Sequence, residues 1–141
     1  MADPMLAAPA ALFVAVSAYA AAVAVQEPVI PGEPLGIHVP GTVRTHLLLG
    51  LGSGVSAPWP MPVAAAWASL RGDPGSPAAA RTVAGIGAAL ILGTLVEPVT
   101  WGRRPASRRA AATVPLHLLT GVAMVSAGTH RLRQLGHPGR G

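Results

Sequence analysis

The sequence predicts an all-α integral membrane protein, a four-transmembrane-helix bundle built from two parallel-repeat helical hairpins. Apolar residues make up 51% of the chain and gather in four long segments, too many for a water-soluble domain of 141 residues. A pattern of polar residues recurs between the two halves, which predicts the internal repeat. We therefore expect residues 1–141 to form a single multi-pass domain in the bilayer of the cell membrane.

The repeat rests on two matched pairs of segments. Thr42–Gly50 and Thr113–Gly121 share Thr, Val, His, Leu, Leu and Gly in register, although the chain has only five histidines. Glu27–Val29 and Glu97–Val99 share Glu-Pro-Val, although the chain has only three glutamates. Because matches between such rare residues are uncommon, the pattern predicts a duplicated unit of two helices. The predicted repeats cover residues 5–70 and 77–130.

The first half opens with an apolar run, Met5–Val25, that is long enough to cross a bilayer. A secretory signal peptide is the alternative, but no basic residue precedes the run and it aligns with an internal segment. This first helix should stop at Glu27, because Pro28 disfavours helical geometry in the residue before it. Residues 28–41 are rich in proline and glycine, which predicts a stiff, non-helical connection.

The second helix is predicted to begin at Thr42, a suitable N-cap, and to run to Ala57. A helix of that length rises only about 24 Å, short of a hydrocarbon core of about 30 Å. Prolines at positions 58, 60 and 62 should break it, because each removes an amide donor. We expect Val63–Leu70 to complete the crossing after this kink.

The second half contains the third and fourth predicted helices. Helix three should span residues 77–97, and its glycines at positions 85, 87 and 93 form a small-residue surface suited to close helix contact. The same surface would suit a homo- or hetero-oligomer. Helix four should run from Thr113 to His130, with residues 131–141 as a basic, frayed C-terminal tail.

Composition excludes several classes of protein. No cysteine is present, which rules out a disulfide framework and thiolate metal ligands. The net charge of +5 comes from arginines that flank apolar segments without an aromatic platform, so nucleic-acid binding is not expected. The sequence has no Gly-rich nucleotide loop and no Gly-x-Ser-x-Gly motif, and it predicts no cofactor.

The repeat points to four candidate site residues, Glu27, His46, Glu97 and His117. Parallel repeats place all four at one membrane face. A glutamate in the last turn of a helix meets the negative end of the dipole, which favours its protonated form, and a histidine in the first turn favours neutral imidazole. Such pairs suit general acid–base chemistry. The alternative is that these residues have only structural roles: Glu-Pro ends each helix, and each histidine lies at the membrane interface.

The sequence therefore favours a membrane enzyme of isomerase, epoxide-opening or isoprenoid cyclase type acting on a lipophilic substrate. Glu97 is expected to be the acid, and Glu27 its ionised partner beside Arg44, with the histidines as base or orienting groups. A non-catalytic subunit of a membrane complex and a small proton-coupled transporter are the alternatives. A mononuclear metal site is chemically allowed, but the Glu-x-x-His spacing of dimetal bundles is missing, so no metal is predicted. Glu33 is expected to be solvated.

Overall fold

Five α-helices make up most of the chain. The structure is a computed structural model that describes residues 2–27, 29–73, 76–103 and 106–136. The helices are α1 (Pro4–Gln26), α2 (Val43–Leu49), α3 (Pro60–Arg71), α4 (Pro77–Val96) and α5 (Arg108–Gly136). Short 3-10 turns lie at Pro34–Gly36 and Pro98–Trp101, and these described ranges contain isolated β-bridges but no β-strand. The prediction of an all-helical chain is confirmed.

Three of these helices, α1, α4 and α5, are long and apolar enough to cross a membrane. They contain 23, 20 and 29 residues. Both α1 and α4 end immediately before a glutamate, as predicted, and Glu27 and Glu97 adopt extended backbone. The reason is steric, because a proline follows each glutamate and disfavours the helical conformation there.

The second predicted membrane helix does not form as one element. Its N-cap is Thr42, as expected, but α2 ends at Leu49 and not at Ala57. The glycine-rich stretch that follows stops it: Gly52 has a φ of +78°, and a Cβ there would overlap the carbonyl oxygen of Ser56. The chain becomes helical again only at α3, whose 12 residues rise about 18 Å and cannot cross a bilayer.

The helices α1, α3, α4 and α5 form a four-sided bundle in which each neighbour runs antiparallel. α1 and α4 each pack against both α3 and α5. At one end, here called the aspartate end, the Asp3 amide donates to the Ser69 carbonyl and the Asp3 carboxylate pairs with Arg131 at 2.7 Å. The opposite end, the glutamate end, carries Glu27 and Glu97. Because α3 is short, segment 29–59, which includes α2, covers its wall at the glutamate end.

The core divides into two clusters along the bundle. Near the aspartate end, Leu6 and Phe13 of α1 pack with residues of α3, α4 and α5. Near the glutamate end, Val23 of α1 packs with Leu47 of α2 and Val55 of the connecting segment. The second cluster therefore holds segment 29–59 against the bundle by burial of apolar side chains.

Glycines bring α4 and α5 into close contact. A Cβ at Gly87 would lie 2.8 Å from the Gly121 carbonyl oxygen, and one at Gly128 would lie 2.6 Å from the Ala80 carbonyl oxygen. Such close backbone approach is characteristic of small residues in membrane helices. Of the three glycines predicted to form a contact surface, Gly87 does so in this way.

The fourth predicted helix is longer than expected at both ends. It begins at Arg108 and not at Thr113, with Pro115 inside it, and it continues to Gly136. Membrane helices tolerate an internal proline because neighbouring groups satisfy the freed backbone. Residues 131–136 of the predicted frayed tail are therefore helical, and residues 137–141 lie outside the described part of the chain.

Candidate functional site

Two adjoining cavities lie beneath segment 29–59, where α3 leaves its wall of the bundle incomplete. The first cavity, of about 310 Å³, lies between α4, α5 and residues 50–58. The second, of about 440 Å³, lies between the ends of α1 and α4 and the start of α5. Glu97, Gly54 and Val55 line both cavities, so this point is their shared wall. Both volumes lie within the range of small-molecule sites, roughly 300–1,000 Å³.

Glu97 is the polar group at this shared wall. Its side chain is buried at 9% exposure, and its Oε2 accepts the Glu33 amide at 3.3 Å. Burial raises the pKa of the Glu97 carboxyl, and the negative charge of Glu33 adds to this, while the Glu33 amide and a positive charge on His46 act in the opposite direction. The carboxyl is therefore biased toward holding its proton at the edge of an apolar space.

Glu27 lines the second cavity, and its carboxylate makes a hydrogen bond and an ion pair. Ser107 donates a hydrogen bond to its carboxylate, and Arg109 lies 3.8 Å from it. The predicted cation, Arg44, is exposed on α2 and does not take this position. The first turn of α5 therefore supplies the positive charge beside Glu27.

His117 lies deeper than predicted. Because α5 begins at Arg108, this histidine sits in the third turn and does not meet the positive end of the helix dipole. The contacts of Gly87 and Gly121 place His117 level with residues 91–93 of α4, four to six residues below Glu97, or about 6–9 Å along the helix axes. The side chain is 4% exposed, lines the first cavity, and its Nε2 has no hydrogen-bond partner among the described residues.

His46 takes a different place from its repeat counterpart. It lies on α2, is 4% exposed, and its Nε2 is 3.1 Å from the Pro40 carbonyl oxygen, to which it donates. A Cβ at Gly41 would lie 2.5 Å from Nε2, so glycine is needed for this packing. His46 lines neither of the two cavities. It fixes the connection ahead of α2 and acts on Glu97 only through its charge.

Sequence reasoning missed the contribution of the proline-rich connection. Glu33 was expected to be solvated, but it is 8% exposed, and its carboxylate is 3.1 Å from Nδ1 of His38. Its amide holds Glu97, as described above. The rarity of glutamate could have drawn attention to Glu33, because the chain has only three glutamates. All three, Glu27, Glu33 and Glu97, lie at the same end of the bundle.

The hydroxyl groups that line the first cavity also escaped prediction. Ser53 and Ser56 fall within the predicted second helix, but both lie in the irregular segment and line the first cavity. Ser56 donates to the Ala57 carbonyl, Thr94 to the Leu90 carbonyl and Thr113 to the Ala110 carbonyl. These protons are therefore already engaged by the protein itself.

Comparison with protein-family models, with curated proteins and with solved structures found no match. Within the described ranges, no group of three His, Cys, Asp or Glu side chains is placed to hold a metal ion.

Proposed function

We propose that this chain is a multi-pass protein of the cell membrane that performs acid–base chemistry on a lipophilic substrate, of isomerase, epoxide-opening or isoprenoid cyclase type. One observation carries the proposal: a nine-tenths buried Glu97, biased toward its protonated form, stands between two largely apolar cavities. A carboxyl whose surroundings favour the protonated form can donate a proton in the transition state. The proposal includes the predicted duplication, in which residues 5–70 and 77–130 arose from one repeated unit.

Glu97 is the proton donor in this scheme. Glu27 is its ionised partner, held by Ser107 and Arg109, and it stabilises positive charge that develops in the substrate. His46 positions the connection that carries Glu33, and Glu33 in turn orients Glu97. His117 contacts the inner part of the substrate in the first cavity.

The substrate enters from the bilayer. Ala89 and Gly93 of α4 and Leu51 of the opposite segment are exposed and line the first cavity, which supports a sideways opening between them. An apolar molecule dissolved in the membrane can pass this opening without crossing water. The lining offers no continuous row of ionisable groups, which weighs against a proton-coupled transporter. A non-catalytic subunit is the remaining alternative.

The experiment that tests this proposal asks whether the first cavity holds a molecule. The full chain is purified in mild detergent, and bound small molecules are extracted and identified by mass spectrometry. Gly93→Leu should abolish co-purification, because position 93 lines the cavity and a Cβ there meets nothing within 4 Å. Gly85→Leu is the matched control, since position 85 also has open space but lies outside the cavity.

We expect one apolar molecule with the wild type and the Gly85→Leu variant, and none with the Gly93→Leu variant. The same small molecules at the same level in all three preparations would contradict a cavity-bound substrate. The subunit alternative would then account better for the chain, and a stable protein partner should appear in the same preparations.

A further inference from the structure

His117 is the polar group of the first cavity that the proposed acid–base step does not use. Its Nε2 is buried and has no partner among the described residues. Leaving a buried polar atom unpaired is unfavourable, because the atom has lost its hydrogen bonds to water. Because the side chain lines the cavity, a molecule bound there can supply the missing hydrogen bond.

The rest of the cavity wall offers few other hydrogen-bonding groups to a bound molecule. The hydroxyl protons of Ser56, Thr94 and Thr113 are engaged by carbonyl groups of the chain. The remaining lining is mainly apolar, from residues such as Leu51, Val55, Met61, Leu90 and Val114. Ser53 also lines the cavity, and its hydroxyl accepts the Val55 amide at 3.3 Å. The cavity therefore offers an apolar molecule the unpaired Nε2 of His117 at its inner part, besides the Ser53 hydroxyl and the Glu97 carboxyl at its shared wall.

We propose that His117 determines substrate specificity by binding a hydroxyl group of a lipophilic molecule through Nε2. The hydroxyl lies about 6–9 Å along the bundle from the group that Glu97 protonates, which is the axial separation of the two residues. A hydroxyl fits either tautomer of the imidazole, because it can donate to or accept from Nε2. This inference rests on the proposed function, since it assigns the substrate class of the same cavity.

The test compares a long-chain alcohol with its parent hydrocarbon. The full chain in lipid nanodiscs is titrated with 1-dodecanol or with dodecane, and bound probe is counted by native mass spectrometry. The ratio of the two affinities is measured in wild type, in His117→Leu and in His130→Leu. The last is the matched control, because His130 lies on the same helix, is exposed and does not line the cavity.

We expect wild type and His130→Leu to prefer the alcohol over the hydrocarbon by about three- to tenfold, the net value of one hydrogen bond. In His117→Leu the preference should fall to about that of the empty nanodisc, while dodecane binding is kept. Binding of both probes with no preference in wild type would overturn this inference alone. Binding of neither probe would overturn the cavity as a ligand site and the proposed function with it.

The wild-type ratio keeps the test decisive if the His117→Leu variant does not fold. A preference equal to that of the empty nanodisc contradicts a hydroxyl at Nε2, whatever happens to the variant. A preference that survives in folded His117→Leu, judged by circular dichroism, also contradicts it, because the alcohol would then be held elsewhere.

Discussion

Replacing Gly121 with alanine tests the packing of α4 against α5. The added Cβ would lie 2.6 Å from Ile91 Cγ1 and 2.9 Å from the Gly87 carbonyl oxygen, closer than atoms of these types can approach. The two helices must separate, and overpacking of this kind costs about 1–3 kcal/mol. Gly85→Ala on α4 is the matched control, since a Cβ there meets nothing within 4 Å. It should be neutral or stabilise the protein by up to about 1 kcal/mol, because glycine disfavours a helix interior.

The free energy of unfolding of each variant is measured by titrating the protein in mixed micelles with sodium dodecyl sulfate and following helix content. Gly121→Ala should lower the free energy of unfolding and Gly85→Ala should not, although both exchange glycine for alanine in a helix. If Gly121→Ala is as stable as Gly85→Ala, the close approach of α4 and α5 is refuted. The depth assigned to His117, which depends on the same contacts, would fall with it.

Three further predictions use the same measurement. Ser107→Ala removes the group that accepts the Ala110 amide and donates to Glu27, so we expect a loss of about 0.5–2 kcal/mol, and an unchanged unfolding midpoint contradicts it. Asp3→Asn weakens the ion pair with Arg131 and should cost about 1 kcal/mol, and a cost that the titration does not resolve refutes the pair. Burial raises the pKa of Glu97 above its ordinary value of 4.5. The stability that the protonated carboxyl contributes is therefore fully present below pH 4.5 and is lost as the pH rises through the pKa of the folded state. Because the other carboxyl groups titrate in both proteins, wild type should lose stability over that window relative to Glu97→Gln, and parallel pH curves would contradict a raised pKa.

The sequence was most informative where one residue type decides the local backbone. Glutamate followed by proline located the ends of α1 and α4 to within one residue. Thr42 was correctly predicted as an N-cap, since its hydroxyl accepts the Thr45 amide. These features depend on neighbours in the chain, so local reasoning reaches them.

Sequence reasoning failed where glycine has two possible uses. The glycines at positions 50, 52 and 54 fall within the predicted second helix, but α2 ends at Leu49, and the positive φ of Gly52 is not helical. Gly87 and Gly121 do serve packing, because a facing helix lies against them. Composition is the same in both cases, and the difference arises from tertiary contacts that the sequence does not display.

The structure brings together some of the four candidate residues but not all of them. Glu27, Glu97 and His117 each line one or both of two adjoining cavities, whereas His46 packs against Pro40 outside them. The first cavity lies beside residues 50–58, which are irregular because α2 ends at Leu49, and the sequence did not indicate this end. The partners of Glu27 are Ser107, just before α5, and Arg109 in its first turn, whereas the predicted fourth helix began only at Thr113.

The most direct test of the proposed chemistry is the turnover of the co-purified molecule by wild type and by Glu97→Gln, reconstituted in the same lipid. Glutamine keeps the size of the side chain and can accept the Glu33 amide, but it cannot donate a proton in the way that a carboxylic acid does. We expect substrate binding to be kept and single-turnover rates to fall by about two to four orders of magnitude, the usual contribution of a positioned acid. A Glu97→Gln rate equal to that of the wild type would contradict acid–base catalysis by this residue.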